Sequence, residues 1–201
     1  MSDSLQDTNV VEDEDDLGSA LLDSGEVIEI INGVKTSKGE PTEEHQAILG
    51  EVYFQLRDYL RDKVWRAFVS PFSLKVRDYS HIIGFEQDRY YPDIVVMCFD
   101  KEGNRFPQLI IEVASPGTFY KDLTEKLDIF WQMGVKEYWS IISETYVLTH
   151  VFSNGQCVSK GYVDKSGVLK VPVFSFQGLD IVLDKDVLFR NLKVLDFKEI
   201  V

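Results

Sequence analysis

The sequence predicts an α/β (or α+β) domain in which helices cover a mixed central sheet. Three observations carry that expectation: an amphipathic helix over residues 42–63, three strand-like segments after it, and a second helix that runs directly into a further strand. The 201 residues, 44% hydrophobic and 12% aromatic, are enough for one domain with a sizeable core, and length alone gives no reason to propose a second.

Residues 1–24 combine low hydrophobicity with a run of acids, "EDEDD", and read as a disordered acidic leader, which leaves 25–201 as the folded domain. The leader lacks a basic n-region and an apolar h-region, so it does not read as a secretory signal. "EVIEIINGVKTSKGEPT" reads as a short strand, an Asn32-Gly33 turn and a polar loop. In "TEEHQAILGEVYFQLRDYLRDK", Thr42 is the expected N-cap, and Glu43 and Glu44 sit where the helix dipole favours anions. Ile48, Leu49, Val52, Leu56, Tyr59 and Leu60 recur at helical spacing and define the buried stripe, which His45 extends at its N-terminal end.

"VWRAFVSPFSLKVR" reads as a strand interrupted at Pro71, and "DIVVMCF" and "QLIIEVA" read as two strands joined by "DKEGNR". "FYKDLTEKLDIFWQMGV" is a helix with the stripe Leu123, Leu127, Phe130 and Trp131, closed by Gly134. "KEYWSII" is the strand after it, and "TYVLTHVF" and "QCVSKGYV" form an extra β-hairpin about Ser153-Asn154-Gly155. "GVLKVPVFSF" and a C-terminal tail complete the chain.

The formal charge of −13 is unevenly spread. Residues 1–50 hold 13 acidic and 2 basic residues; the rest hold 21 and 19, so the body is nearly balanced and a polyanionic substrate is not excluded. Two cysteines far apart suit a reducing compartment, and no apolar run is long enough to span a bilayer. The expectation is a cytoplasmic protein with no membrane partner.

Asp93 and Glu112 stand at the entrance and near the exit of the most apolar part of the chain. If their strands pair about the centre of the loop, Asp100 faces Arg105, Phe99 faces Phe106 and Asp93 faces Glu112. Opposed residues share a side of the sheet with Cβ atoms about 4.5–5.5 Å apart, so the two carboxylates repel unless compensated. A shared proton, a cationic side chain or a divalent metal would each serve; Mg²⁺ suits two carboxylates with a carbonyl and waters. The plain alternative is a pair of solvated strand ends. Lys126, at the margin of the second helix's stripe, is placed to bring an ammonium over the sheet end that carries Glu112, with Asp122 one turn earlier.

Pro92-Asp93 followed by Glu112 in an apolar strand resembles the PD-(D/E)XK nuclease superfamily. With "EEHQAIL", "YPDIVV", "IIEVASPGT", "KDLTEKLDIF" and "GVKEYW" in this order, residues 26–185 resemble its Uma-two type restriction-endonuclease family. The resemblance implies a restriction-endonuclease-like core and Mg²⁺-dependent (or Mn²⁺-dependent) hydrolysis of DNA. Asp93, Glu112 and the Val113 carbonyl would be the metal ligands, with catalysis by Asp93, Glu112 and Lys126. It also implies His45 and Glu44 as lining residues and Asp122 as the group orienting Lys126. One position departs: where the superfamily has a lysine two residues after the acid, this chain has Ala114. The resemblance implies that Lys126 replaces it.

A non-catalytic module retaining the fold is the alternative, favoured by Ala114 and the acidic leader. A retaining glycosidase, whose two carboxyl groups sit about 5–5.5 Å apart, is a distant third. The sequence leaves a homodimer open.

Overall fold

The computed structural model describes residues 27–79, 81–114 and 122–189. The expected leader and the last residues of the chain lie outside these. The chain opens with β1 (Ile28–Ile31) and β2 (Val34–Ser37), paired antiparallel. Asn32 and Gly33 between them both take positive φ, as a two-residue hairpin requires. The polar loop expected here is therefore largely a second strand, because the Asn-Gly turn folds Val34–Ser37 back onto β1.

Helix α1 (Glu43–Tyr59) starts where Thr42 Oγ1 accepts the His45 N–H at 3.1 Å. The strands that follow are β3 (Trp65–Val69), β4 (Leu74–Lys75), β5 (Arg89–Tyr90), β6 (Ile94–Phe99) and β7 (Arg105–Val113). A π-helical turn (Asp122–Lys126) leads into α2 (Leu127–Gln132), and Gly134 at φ 85° ends it. Next come β8 (Glu137–Ser143), β9 (Tyr146–Ser153), β10 (Gln156–Val163), β11 (Val168–Pro172) and β12 (Asp180–Asp184). A short α3 (Lys185–Leu188) follows, so part of the expected C-terminal tail is ordered strand and helix.

Six strands form the central sheet in the order β10-β9-β8-β7-β6-β3. Only β7 and β8 are parallel, joined by the segment that contains α2, so the sheet is mixed as expected. A small sheet, β2-β1-β5-β4, stands beside it. Strands β6 and β7 are apolar on both sides because both faces are covered. Ile94, Val96, Leu109, Ile111 and Trp139 pack with Ile48, Val52 and Leu56 of α1 and with the β11–β12 hairpin. Val95, Met97, Ile110 and Tyr138 pack with Ile129 and Phe130 of α2 and with the small sheet. Trp131 departs from the expected stripe: it is 40% exposed and stacks on Phe152, while Ile129 takes the buried position.

The β6–β7 register agrees with the simplest hairpin at one end and not at the other. Ile94 opposes Ile111, Val95 opposes Ile110 and Val96 opposes Leu109. Beyond Val96 a bulge shifts the ladder, so Phe99 opposes Arg105, not Phe106, and the Asp100 N–H donates to Asn104. The shift coincides with Pro107, which has no N–H to give the ladder. Among the described residues no helix is long and apolar enough to cross a membrane.

Glu137 fastens β8 to the turn after β11. Fully buried, it accepts Trp139 Nε1–H at 2.6 Å and both the N–H and Oγ–H of Ser175, at 2.8 and 2.9 Å. Burial pushes its carboxyl up despite these donors. Glu137→Ala leaves buried donors unpaired and is expected to cost about 1–3 kcal/mol in urea denaturation. Glu137→Gln, which keeps an acceptor oxygen, is expected to cost less.

Candidate active site

The site forms at the end of β6 and β7, where the small sheet, the start of α1 and the π-helical turn meet. Asp93 immediately precedes β6, and its backbone is fixed by the Ser70 N–H donating to Asp93 O at 3.0 Å. The Asp93 N–H donates to Glu112 Oε2 at 3.2 Å, and the Val113 N–H donates to Asp93 Oδ2 at 2.8 Å. Strand pairing thus brings the two carboxylates together as the simplest register expects. Both residues are buried, 4% and 2% exposed, so neither is a solvated strand end.

Compensation comes from cationic side chains. Lys126, itself 2% exposed, lies 3.1 Å from Glu112 Oε1 and 2.8 Å from Glu29 Oε2. Lys38 Nζ lies 2.9 Å from Asp93 Oδ1, 3.3 Å from Glu112 Oε2 and 2.6 Å from the Tyr91 carbonyl. His45 Nε2 lies 3.0 Å from Asp93 Oδ2. The contacts run in a chain, Glu29–Lys126–Glu112–Lys38–Asp93–His45, in which carboxylates and lysines alternate. Burial alone would raise the Asp93 carboxyl, but Lys38 and His45 outweigh it and hold it well below the usual carboxylate range. Burial pulls the Lys38 ammonium down, but Glu112 and Asp93 hold it above the usual lysine range. Because the folded value of Asp93 is depressed, its contribution to stability is present above the unfolded value, about 3.9, and is lost as pH falls through the folded one.

Lys126 arrives as expected from the second helix, carried by the last residue of the π-helical turn. His45, one residue beyond the helix's first two acids, reaches Asp93 because α1 packs against the end of the sheet. Glu44 is exposed, and none of these contacts runs to it. The expectation for Asp122 falls on a side chain outside those described. Val113 is at the site through its N–H.

Sequence reasoning missed Glu29 and Lys38. Glu29 carries the same signal as Asp93 and Glu112, an acid between apolar residues of a strand, in "VIEII". It is 3% exposed and also accepts the Tyr91 N–H at 2.9 Å. Lys38 had no signal beyond its place in a polar loop. Both are positioned by Asp88, 2% exposed, whose carboxylate accepts the Asn32 and Gly33 N–H groups at 2.7 and 2.8 Å and the Tyr90 hydroxyl at 3.2 Å. Burial and Asp88 together push the Tyr90 hydroxyl far up, which keeps it a donor.

A mixed central sheet with a helix on each face is consistent with a restriction-endonuclease-like fold. Residues 15–181 match the Uma2 family, described as "Putative restriction endonuclease", and the chain belongs to it. Among solved structures it is similar to that of a "putative nuclease belonging to DUF820" from Anabaena variabilis. The two share 21% identity over 81% of this chain and 89% of that one, with a TM-score of 0.61, which shows a shared fold. A search of curated proteins gives no match.

Lys126→Met removes one partner of a buried ion pair and is expected to destabilise by about 3–5 kcal/mol in chemical denaturation. Adding Glu29→Gln is expected to recover part of that loss, since it removes a carboxylate left without its cation. Additive losses in the double variant would show that the Glu29–Lys126 contact is not a coupled pair.

Proposed function

We propose that the protein is a metal-dependent endonuclease that hydrolyses DNA phosphodiester bonds at the Asp93–Glu112–Lys126 site. The observation that carries this reading is the pairing of two buried carboxylates across β6 and β7, with a buried ammonium on one of them, in a chain of a restriction-endonuclease family.

The donor chemistry fits a hard divalent cation. Asp93 Oδ1, Glu112 Oε2 and the Tyr91 carbonyl already converge on one positive charge, the Lys38 ammonium. Two carboxylates with a backbone carbonyl suit an ion that binds through one or two carboxylates and keeps several waters. Asp93, Glu112 and the Val113 carbonyl would hold Mg²⁺ or Mn²⁺, which supplies polarisation of a phosphoryl oxygen and an acidified water.

The chain's own groups set the rest. The reciprocal backbone bonds of Asp93, Glu112 and Val113 hold the carboxylates in place before substrate arrives. Glu29 and Glu112 hold the Lys126 ammonium in a water-poor position, where a fixed positive charge stabilises negative charge developing on a phosphate. His45 fixes Asp93 from the side of α1. Its Nδ1 is buried and has no hydrogen-bond partner among the described residues.

A second reading, a nuclease-fold module that binds nucleic acid without cutting it, is favoured by one observation: Asp93 and Glu112 are each already paired with an ammonium. Cleavage of plasmid and of single- and double-stranded DNA and RNA oligonucleotides, with and without Mg²⁺ or Mn²⁺, separates the two. Metal-dependent cleavage of DNA is expected, reduced about a hundredfold or more in Asp93→Asn and Lys126→Met. Cleavage that survives both substitutions at full rate comes from elsewhere and removes the assignment. DNA binding with no cleavage by the intact protein establishes the second reading.

A further inference from the structure

Lys38 stands between the solvent and the two acids. Its side chain is 18% exposed, against 6% for Asp93 and 3% for Glu112. An ammonium has three N–H donors, and Lys38 has three acceptors: Tyr91 O, Asp93 Oδ1 and Glu112 Oε2. Its backbone is fixed, because the Lys38 N–H donates to Val27 O at 3.0 Å at the open end of the first hairpin. Its side chain is a flexible four-carbon stem. The next residue, Gly39, has φ 72° with no atom within 4 Å of where a Cβ would lie, so there is open space on this side.

A divalent cation bound by the two carboxylates requires the oxygens that Lys38 holds. Two cations a few ångströms apart repel by several kcal/mol even at an effective dielectric constant of about 20, so both cannot remain. We propose that Lys38 is a tethered counter-ion that holds the two carboxylates together in the metal-free protein and is exchanged for the divalent cation when that binds. Lys38 thereby sets the metal affinity of the site. Once released, its ammonium remains tethered at the mouth of the site, where the anion to be met is a substrate phosphate. The inference rests on the metal-dependent reading of the same site.

Two measurements on the full chain test it. The first is calorimetric titration of Mn²⁺ into the intact protein, Lys38→Met and Asp93→Asn. Lys38→Met is expected to bind Mn²⁺ about tenfold more tightly or better, a conservative figure for removing one competing unit charge at that dielectric constant, and Asp93→Asn to lose binding. Equal or weaker binding by Lys38→Met, with binding still lost in Asp93→Asn, overturns the exchange and leaves the metal site standing. No Mn²⁺ binding by either the intact protein or Lys38→Met removes both.

The second measurement needs no variant and decides the matter if Lys38→Met does not fold. Acylation of lysines by an amine-reactive reagent, read by peptide mass spectrometry, is followed in the intact protein with and without Mn²⁺. Lys38 is expected to react several-fold faster with Mn²⁺ bound, while Lys126 stays protected in both states. A Lys38 rate that Mn²⁺ leaves unchanged overturns the proposal.

Discussion

Three carboxylates buried within hydrogen-bonding reach of two lysines and a histidine impose the constraint on which the rest of this structure depends. Asp93 and Glu112 are drawn together by strand pairing, which is indifferent to their charge, and the repulsion that results must be met locally because little water reaches them. The solution draws a partner from each side. Lys126 comes from the helical layer over one face of the sheet, and Lys38 comes from the small sheet at its end. His45 comes from the helix on the other face. Glu29 then keeps Lys126 from being a surplus charge. The first hairpin contributes two members and the two helical layers one each, so packing and electrostatics are satisfied by the same arrangement.

The parts of this arrangement visible in the sequence are those that follow from short-range periodicity. Pairing the two strands about the centre of their short loop gives the register near the acids, where Ile94 opposes Ile111. The spacing of Leu123, Leu127 and Phe130 places Lys126 towards the sheet. Where a local irregularity enters, periodicity fails: Pro107 brings a bulge that shifts Phe99 onto Arg105. The π-helical turn at Asp122–Lys126 and the exposed Trp131 likewise depart from an ideal stripe. Glu29 was legible in kind, as an acid inside an apolar strand, and was obscured by the acidic stretch that precedes it. Lys38 was not legible, because its position depends on a hairpin whose placement is decided by Asp88, more than fifty residues away.

The shared fold with a distant solved structure and the family match over most of the chain agree with what the site supports. A lysine in place of Ala114 would extend from the strand itself, whereas Lys126 reaches Glu112 from a neighbouring layer and is held by a carboxylate on a third element.

The contacts of the site span large separations in sequence: 48 residues from His45 to Asp93, 55 from Lys38 to Asp93 and 74 from Lys38 to Glu112. Such contacts form only after long loops have closed, and the entropy of closure must be met before the pairing returns anything. The strand pair that brings Asp93 and Glu112 together is local by comparison, at 19 residues. A chain with its sheet formed and its first hairpin undocked therefore lacks Lys38, the cation shared by Asp93 and Glu112, and Coulomb attraction draws that hairpin home. The same asymmetry works in reverse. Opening of the first hairpin withdraws Glu29 and Lys38 together, and leaves Asp93 and Glu112 with Lys126 and His45 alone.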